Sequence, residues 1–243
     1  MKITSYVLLL FFVLLFACEG KNEDPEPDNV ASISGSVLLF SEGSALAGTN
    51  AGMKVSIEGT NPLISTLTDA TGKFVLEKVP FGTYTLVYEK EGFGTFKRPD
   101  VEHKAGGTVL TDTPSLGQLS TTQVTDLKIN TSASSIQVSV STNPAGNNAN
   151  RRYLRFFFST QNTVSSTNFL AASPTFVSLD NPFTRTFSTA ELAALGVTSG
   201  AVVFVRVYGD SFFSNSYMDP VTKRTIYPNL NATTVPAVSV TIP

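Results

Sequence analysis

The sequence predicts an all-β protein of two β-sandwich domains that follow an export signal and an acidic tether. Three observations predict it. Apolar residues alternate with polar ones in short runs, the period of a strand with one buried face. Clusters of Gly, Pro, Asn and Asp punctuate these runs at short intervals. The composition also changes near residue 120, and a chain of 243 residues has room for two units of about 100 to 200 residues each.

The chain opens with Lys2 and an unbroken apolar run from Tyr6 to Phe16. At 11 residues the run is too short to span a bilayer, which takes about 20, and it suits a secretory h-region. Leu15-Phe16-Ala17-Cys18 comes next, with a small residue before the only cysteine of the chain. This resembles the lipobox of bacterial lipoproteins, with Phe16 a bulky departure two positions before the cysteine. The resemblance implies a signal peptide over 1–17, cleavage before Cys18, diacylglycerol on the Cys18 sulfur and acylation of the new amino group. Each buried methylene would add about 0.8 kcal/mol to the hold on membrane lipid. Residues 18–29 form the lipidated acidic linker, whose Glu23, Asp24, Glu26, Asp28 and two prolines cannot build a core and read as a tether. This acidic stretch is similar to the one behind the acylated cysteine in surface-exported lipoproteins of Bacteroidetes-type bacteria. It implies the outer face of the cell outer membrane. With a single cysteine no intramolecular disulfide can form, so stability must come from apolar burial.

The first domain is expected over 30–118. Ile33 to Phe40, Val55 and Ile57 with their polar neighbours, Ile64 to Thr68, Phe74 to Leu76 and Tyr84 to Tyr88 read as strands. Asp69-Ala70-Thr71-Gly72 offers an Asx-type turn with glycine free to take positive φ, and Val79-Pro80-Phe81-Gly82 offers a second tight connection. The loop from Ser41 to Gly52 is longer than a tight turn requires. Binding concentrates on loops, but this one reads first as small-residue surface padding.

Gly35, Val55 to Thr60, Thr68-Asp69-Ala70-Thr71-Gly72-Lys73-Phe74, Val79-Pro80-Phe81-Gly82-Thr83-Tyr84-Thr85-Leu86 and Glu91-Gly92-Phe93 resemble, in order and spacing, the carboxypeptidase regulatory-like domain. The resemblance implies a transthyretin-like sandwich that serves as an accessory module. Within it Gly72 would shape a hairpin, Phe74, Tyr84 and Leu86 would fill the core, and Pro80 and Gly82 would shape a turn. None of these is a nucleophile or an acid, so the resemblance implies a scaffold.

The second domain is expected over 119–243. Val124 to Ile129, Ile136 to Val140, Tyr153 to Phe158, Ala201 to Tyr208 and Val235 to Ile242 read as strands, with a turn cluster from Asn143 to Asn148. Ser188-Thr189-Ala190-Glu191 is a capping box, which predicts a helix of about two turns that stops at Gly196. A short crossover before a V-x-V-x-V-Y strand loosely resembles the corresponding region of fibronectin type III-like and immunoglobulin-like sandwiches. In that likeness Tyr208 would take a tyrosine-corner-like place. The excursion from Gly209 to Asn229 sets Phe212, Phe213, Tyr217 and Tyr227 among polar residues. It reads first as a hairpin covering the sandwich edge, and second as a ligand-facing loop whose rings supply contact area.

The chemistry excludes more than it offers. Removing Lys2 with the signal leaves 16 basic against 19 acidic residues, with no basic stripe, so nucleic acid is not an expected partner. The only histidine, His103, lies in what reads as a charged turn, and a Ser-His-Asp triad would need it. No metal set, phosphate loop or nucleophile elbow occurs, so no cofactor and no metal are expected. Asp210 and Asp219 flank the aromatic excursion and are the one carboxylate pair to watch for hydrolysis or calcium, although ordinary turn carboxylates explain them. The expected protein is therefore not an enzyme. It is a cell-envelope lipoprotein held by membrane lipid through acylated Cys18, a structural or interaction module with an envelope protein as partner. The alternative is an accessory to an outer-membrane transporter that binds surface polysaccharide or another nutrient.

Overall fold

The computed structural model describes residues 29–243; the expected signal peptide over 1–17, Cys18 and nearly all of the stretch expected as an acidic linker lie outside the described residues. The first sandwich runs through β1 (Val30–Ser36), β2 (Leu38–Phe40), β3 (Lys54–Ile57), β4 (Ser65–Leu67), β5 (Lys73–Pro80), β6 (Gly82–Glu89), β7 (Phe96–His103), β8 (Thr108–Val109) and β9 (Ser115–Gly117). Strands β5-β1-β8 form one sheet and β4-β3-β6-β7 the other, while β2 and β9 pair in parallel. Inward positions of the two sheets, with Leu39 of β2, meet in a core of Ile33, Val55, Ile57, Phe74, Leu76, Leu86 and Tyr88, among others. Each such side chain contributes about 1.5 to 3 kcal/mol on burial.

One of the two turns read from the sequence does a different job from the one expected, and the other is the tight connection before the Tyr84 strand that it reads as. Asp69 to Gly72 links β4 to β5, and Phe81 links β5 to β6, but each pair of strands lies in different sheets. These are corners between layers, where a hairpin was expected for Gly72. The Asp69 carboxylate accepts from the Thr71 and Lys73 N–H groups and the Thr71 hydroxyl. Gly72 sits at φ +86°, and a Cβ there would run into the Val37 carbonyl. Phe74 and Leu86 are buried as expected. Tyr84 is only half-buried, and its hydroxyl donates to the Pro80 carbonyl at 2.7 Å, bracing the corner from four residues on.

Two bulges reset the alternation. Glu77 and Lys78 oppose Ser32 alone, and Pro99 and Asp100 oppose Thr85 alone, with Lys78 and Asp100 at φ 52° and 57°. The extra residue rotates the remainder of each strand by half a period. It turns Val79, Val101 and His103 inward.

The second sandwich contains β10 (Gln123–Thr131), β11 (Ser135–Asn143), β12 (Arg152–Ser159), β13 (Ala171–Ala172), β14 (Phe176–Ser178), β15 (Phe183–Ser188), α1 (Thr189–Ala194), β16 (Val202–Asp210), β17 (Tyr217–Met218), β18 (Thr225–Ile226) and β19 (Val238–Thr241). Strands β10-β11-β15 face a sheet in which β12 pairs with β13, β14 and β16, and β16 pairs with β19. Every residue of β12 is buried, as a central strand read from an unbroken hydrophobic run should be. The helix is capped by Ser188 and Glu191 in a complete capping box, and Gly196 lies just beyond it at φ +80°. It crosses from β15 in one sheet to β16 in the other. A smaller apolar cluster of Phe157, Val164 and Tyr208, with Phe169 and Tyr227 against it, covers the outer face of β12 and β16. Tyr208 meets Phe157 edge-on at 5.4 Å. Its hydroxyl makes no backbone hydrogen bond among the described residues, so the corner role is not filled by this residue. Among the described residues, no helix is long and apolar enough to cross a membrane.

Candidate functional site

The aromatic excursion from Gly209 to Asn229 becomes the joint between the sandwiches. β17 and β18 make a two-stranded ribbon closed by a turn at Asp219 to Arg224. Phe213 packs on Phe40 of the first sandwich at 4.2 Å between ring centres, and Tyr217 stands edge-on to Phe96 at 6.3 Å. Phe212 leans on Phe213 and on Tyr153 and keeps 47% of its surface exposed. Tyr227 belongs to the outer cluster, between Phe157 and Phe169, with the Arg155 guanidinium 4.2 Å above its ring. The four rings therefore split between two tasks. Phe213 and Tyr217 are engaged by the first sandwich, Tyr227 by the outer cluster, and Phe212 alone is open to a large extent.

Beneath the rings, two asparagines bind the last strand of the first sandwich. Asn215 is buried at φ 49°, a left-handed conformation that asparagine tolerates. Its side-chain oxygen accepts from the Gly117 N–H at 2.7 Å, and its amide donates to the Gly117 and Gly94 carbonyls. Asn229, also buried, donates to the carbonyls of Gly117, Gln118 and Phe213. Ser211 adds a bond to the Gln118 carbonyl. The edge groups of β9 are thus satisfied by side chains of the other sandwich, which removes the cost of burying them unpaired. Close approach requires the two glycines: a Cβ at Gly94 would collide with Asn229, and one at Gly117 with the Phe213 carbonyl.

A part-buried charge network closes the opposite end of the joint. Glu42, in the loop after β2, accepts from the Thr121 N–H and hydroxyl and from the Arg152 guanidinium at 2.5 Å. The Arg152 side chain is 7% exposed. The Phe212 N–H donates to the Glu42 carbonyl.

The two watched carboxylates have separate surroundings. Asp210 is fully buried; one oxygen accepts from Arg155 Nε at 2.8 Å and from the Thr175 hydroxyl, and the other from the Ser211 N–H. Arg155 also donates to the Ser173 carbonyl. This carboxylate is consumed by structure. Asp219 caps its turn, accepting from the N–H groups of Val221 and Thr222 and the Thr222 hydroxyl. The Thr222 N–H, then its hydroxyl, hold the Asp219 carboxyl below the usual range. The surrounding rings have the opposite effect on Tyr217, whose partial burial pushes its phenol up.

His103 is not in a turn. It ends β7, fully buried, with Nδ1 2.7 Å from the Thr108 hydroxyl, Nε2 3.2 Å from the Val79 carbonyl and the ring against Phe81. The sequence signal was present in the alternation of Val101, Glu102 and His103, but the charged neighbours masked it. Cys18 lies outside the described residues. Sequence reasoning also passed over Asn215, Asn229 and Glu42, since single polar residues in loops carry no periodic signal.

Among curated proteins, none matches the sequence. Solved structures similar to the chain include a Bacteroides uniformis protein provisionally described as carbohydrate-binding, at 17% identity over 89% of this chain and 100% of that one, with a TM-score of 0.32. A DUF3823 family protein of Parabacteroides merdae is similar at 12% identity over 87% of this chain and 98% of that one, with a TM-score of 0.29. A third similar chain comes from a type II cohesin–X–dockerin complex of Acetivibrio cellulolyticus, at 27% identity over 35% and 51%, with a TM-score of 0.27. Residues 32–114 match the carboxypeptidase regulatory-like domain, so the stretch from β1 through β8 is similar to a family that is non-catalytic.

Proposed function

We propose that the protein is a non-catalytic envelope lipoprotein, held to the outer membrane by acylated Cys18, in which two sandwiches act as one stiff interaction module for an envelope protein partner. The joint carries this reading. Two buried asparagines, two required glycines and an ion pair lock the halves together, and rigid pairing of domains suits a protein that holds a partner at a set distance and angle. Asp210, the better buried of the two candidate acids, is saturated by Arg155, Thr175 and Ser211, which favours a structural part over hydrolysis. A polysaccharide ligand cannot use the inner rings of the aromatic excursion while Phe213 and Tyr217 are packed on the first sandwich.

The test starts with the anchor. In the native bacterium, the protein should partition with the detergent phase and incorporate labelled fatty acid, and Cys18→Ala should abolish both. Crosslinking in intact cells followed by mass spectrometry should then recover the same envelope protein from repeated preparations. Membrane retention without Cys18 would overturn the anchor, and recovery of no reproducible neighbour would overturn the interaction role.

A further inference from the structure

Next to the joint, the loop after β2 and the turn before β12 face each other across an open cleft of about 370 Å³. That lies within the range of small-molecule sites, about 300 to 1,000 Å³. Both walls are held in shape. The Ser41 N–H donates to the Ala45 carbonyl, and the Ser41 hydroxyl accepts from the Gly43 N–H. Across the cleft, Asn147 and Asn150 exchange backbone hydrogen bonds, and the Asn147 side chain accepts from the Ala149 and Asn150 N–H groups. Glu42 is fixed to Thr121 and Arg152. A ligand would therefore meet a preformed site and would not have to order it.

Four polar side chains line this cleft without any hydrogen-bond partner among the described residues: Ser44, Asn148, Arg151 and Tyr153. Tyr153 is the informative one. It is 4% exposed, its ring packs edge-on against Phe212 at 5.7 Å, and its hydroxyl lies beside Gly43 on the opposite wall. The Tyr153 hydroxyl is not one of the buried unpartnered atoms, so this otherwise buried ring presents its polar end to the cleft. Arg151 is exposed and takes part in no ion pair among the described residues, whereas the Glu42 charge is matched by Arg152. The one uncompensated charge of the lining is thus a guanidinium, the group that grips a carboxylate through two parallel bonds. Hydroxyl and amide groups around it match the donor and acceptor pattern of sugar hydroxyls.

We propose that this cleft binds a saccharide bearing a carboxylate, with Arg151 on the carboxylate and Tyr153, Asn148 and Ser44 on ring hydroxyls. The site is independent of the lipid anchor and of any protein partner. It is also separate from the aromatic excursion, except that Phe212 supports the Tyr153 ring.

Calorimetric titration of the purified full chain with digalacturonate, a glucuronate-containing disaccharide and dimannuronate tests it, with maltose as the neutral comparison. At least one acidic disaccharide should bind, with maltose at least tenfold weaker. Arg151→Ala should weaken binding by roughly tenfold or more, and Tyr153→Phe, which keeps the ring, by roughly fivefold. Thermal unfolding of both variants should match the parent, which separates loss of a contact from loss of the fold. The proposal is overturned if no acidic disaccharide binds at millimolar concentration, if maltose binds as tightly, or if both folded variants bind like the parent.

Discussion

Tyr88 shows how one side chain sets a pH limit. It is buried at the centre of the first core, edge-on to Phe74 and tilted against Phe96, and its hydroxyl has no hydrogen-bond partner. Burial pushes its pKa up to about 12, with the Arg98 charge offsetting part of the effect. The folded value exceeds the ordinary value of 10.0, so the neutral phenol is favoured in the native state. Stability from this group is therefore intact below about pH 10 and is lost as pH rises towards about 12. Tyr88→Phe should remove that part of the alkaline loss and leave neutral-pH stability equal or slightly higher, because an unpartnered buried hydroxyl is deleted. Thermal unfolding of both proteins between about pH 8 and 12 checks this against the ordinary phenol value; an unchanged alkaline slope in the variant would show that other groups govern the limit.

Among the elements, the short helix was the most legible. Ser188 and Glu191 announce its start, and each makes the reciprocal bond that the spacing predicts. The bond from the Ser188 N–H is the main cause that lowers the Glu191 pKa. This contribution is present above the ordinary glutamate range and fades as pH falls through the lowered value. Ser188→Ala should cost about 1 kcal/mol, read as a lower denaturant midpoint at an unchanged slope. Strands β11 and β16, which alternate, and β12, an unbroken hydrophobic run buried on both faces, were equally readable. Strands β7, β13, β14 and β15 were not. A bulge at Asp100 breaks the period in β7, two of the others have only two or three residues, and in Phe183 to Ser188 the middle inward position is held by Arg185, so only two rings mark the buried face. The joint was least readable of all, since Gly94, Gly117, Asn215 and Asn229 are far apart in sequence and meet only after both sandwiches exist.

Across the whole molecule, that joint predicts cooperative behaviour. Both halves have full cores of their own, yet β9 completes its hydrogen bonding only against the second sandwich. The protein should unfold in one calorimetric transition. Asn229→Ala leaves the Phe213 carbonyl without a donor, at about 1 to 3 kcal/mol for a buried group left unsatisfied, while the Gly117 and Gln118 carbonyls keep their bonds from Asn215 and Ser211. The single transition should then split, or its first half should move to lower temperature. An unchanged profile would mean that the asparagines align the halves without coupling them. Separate expression of 30–118 and 119–243 would expose the same unsatisfied groups, and Phe213 with them.

Strands β2 and β9 run in parallel, and they stand at opposite ends of the force path through the first sandwich. A pull on the N-terminal side of β1 and β2, resisted by the second sandwich beyond Gly117, draws β2 and β9 lengthwise in opposite directions. Their hydrogen bonds at Leu38 to Phe40 and Ser115 to Gly117 then share the tension and must rupture together. Peeling would break them one at a time. The same arrangement that closes a small core would make the protein a shear-resistant link under flow or tugging, with a rupture force set by the unfolding rate of that ladder and not by its equilibrium stability.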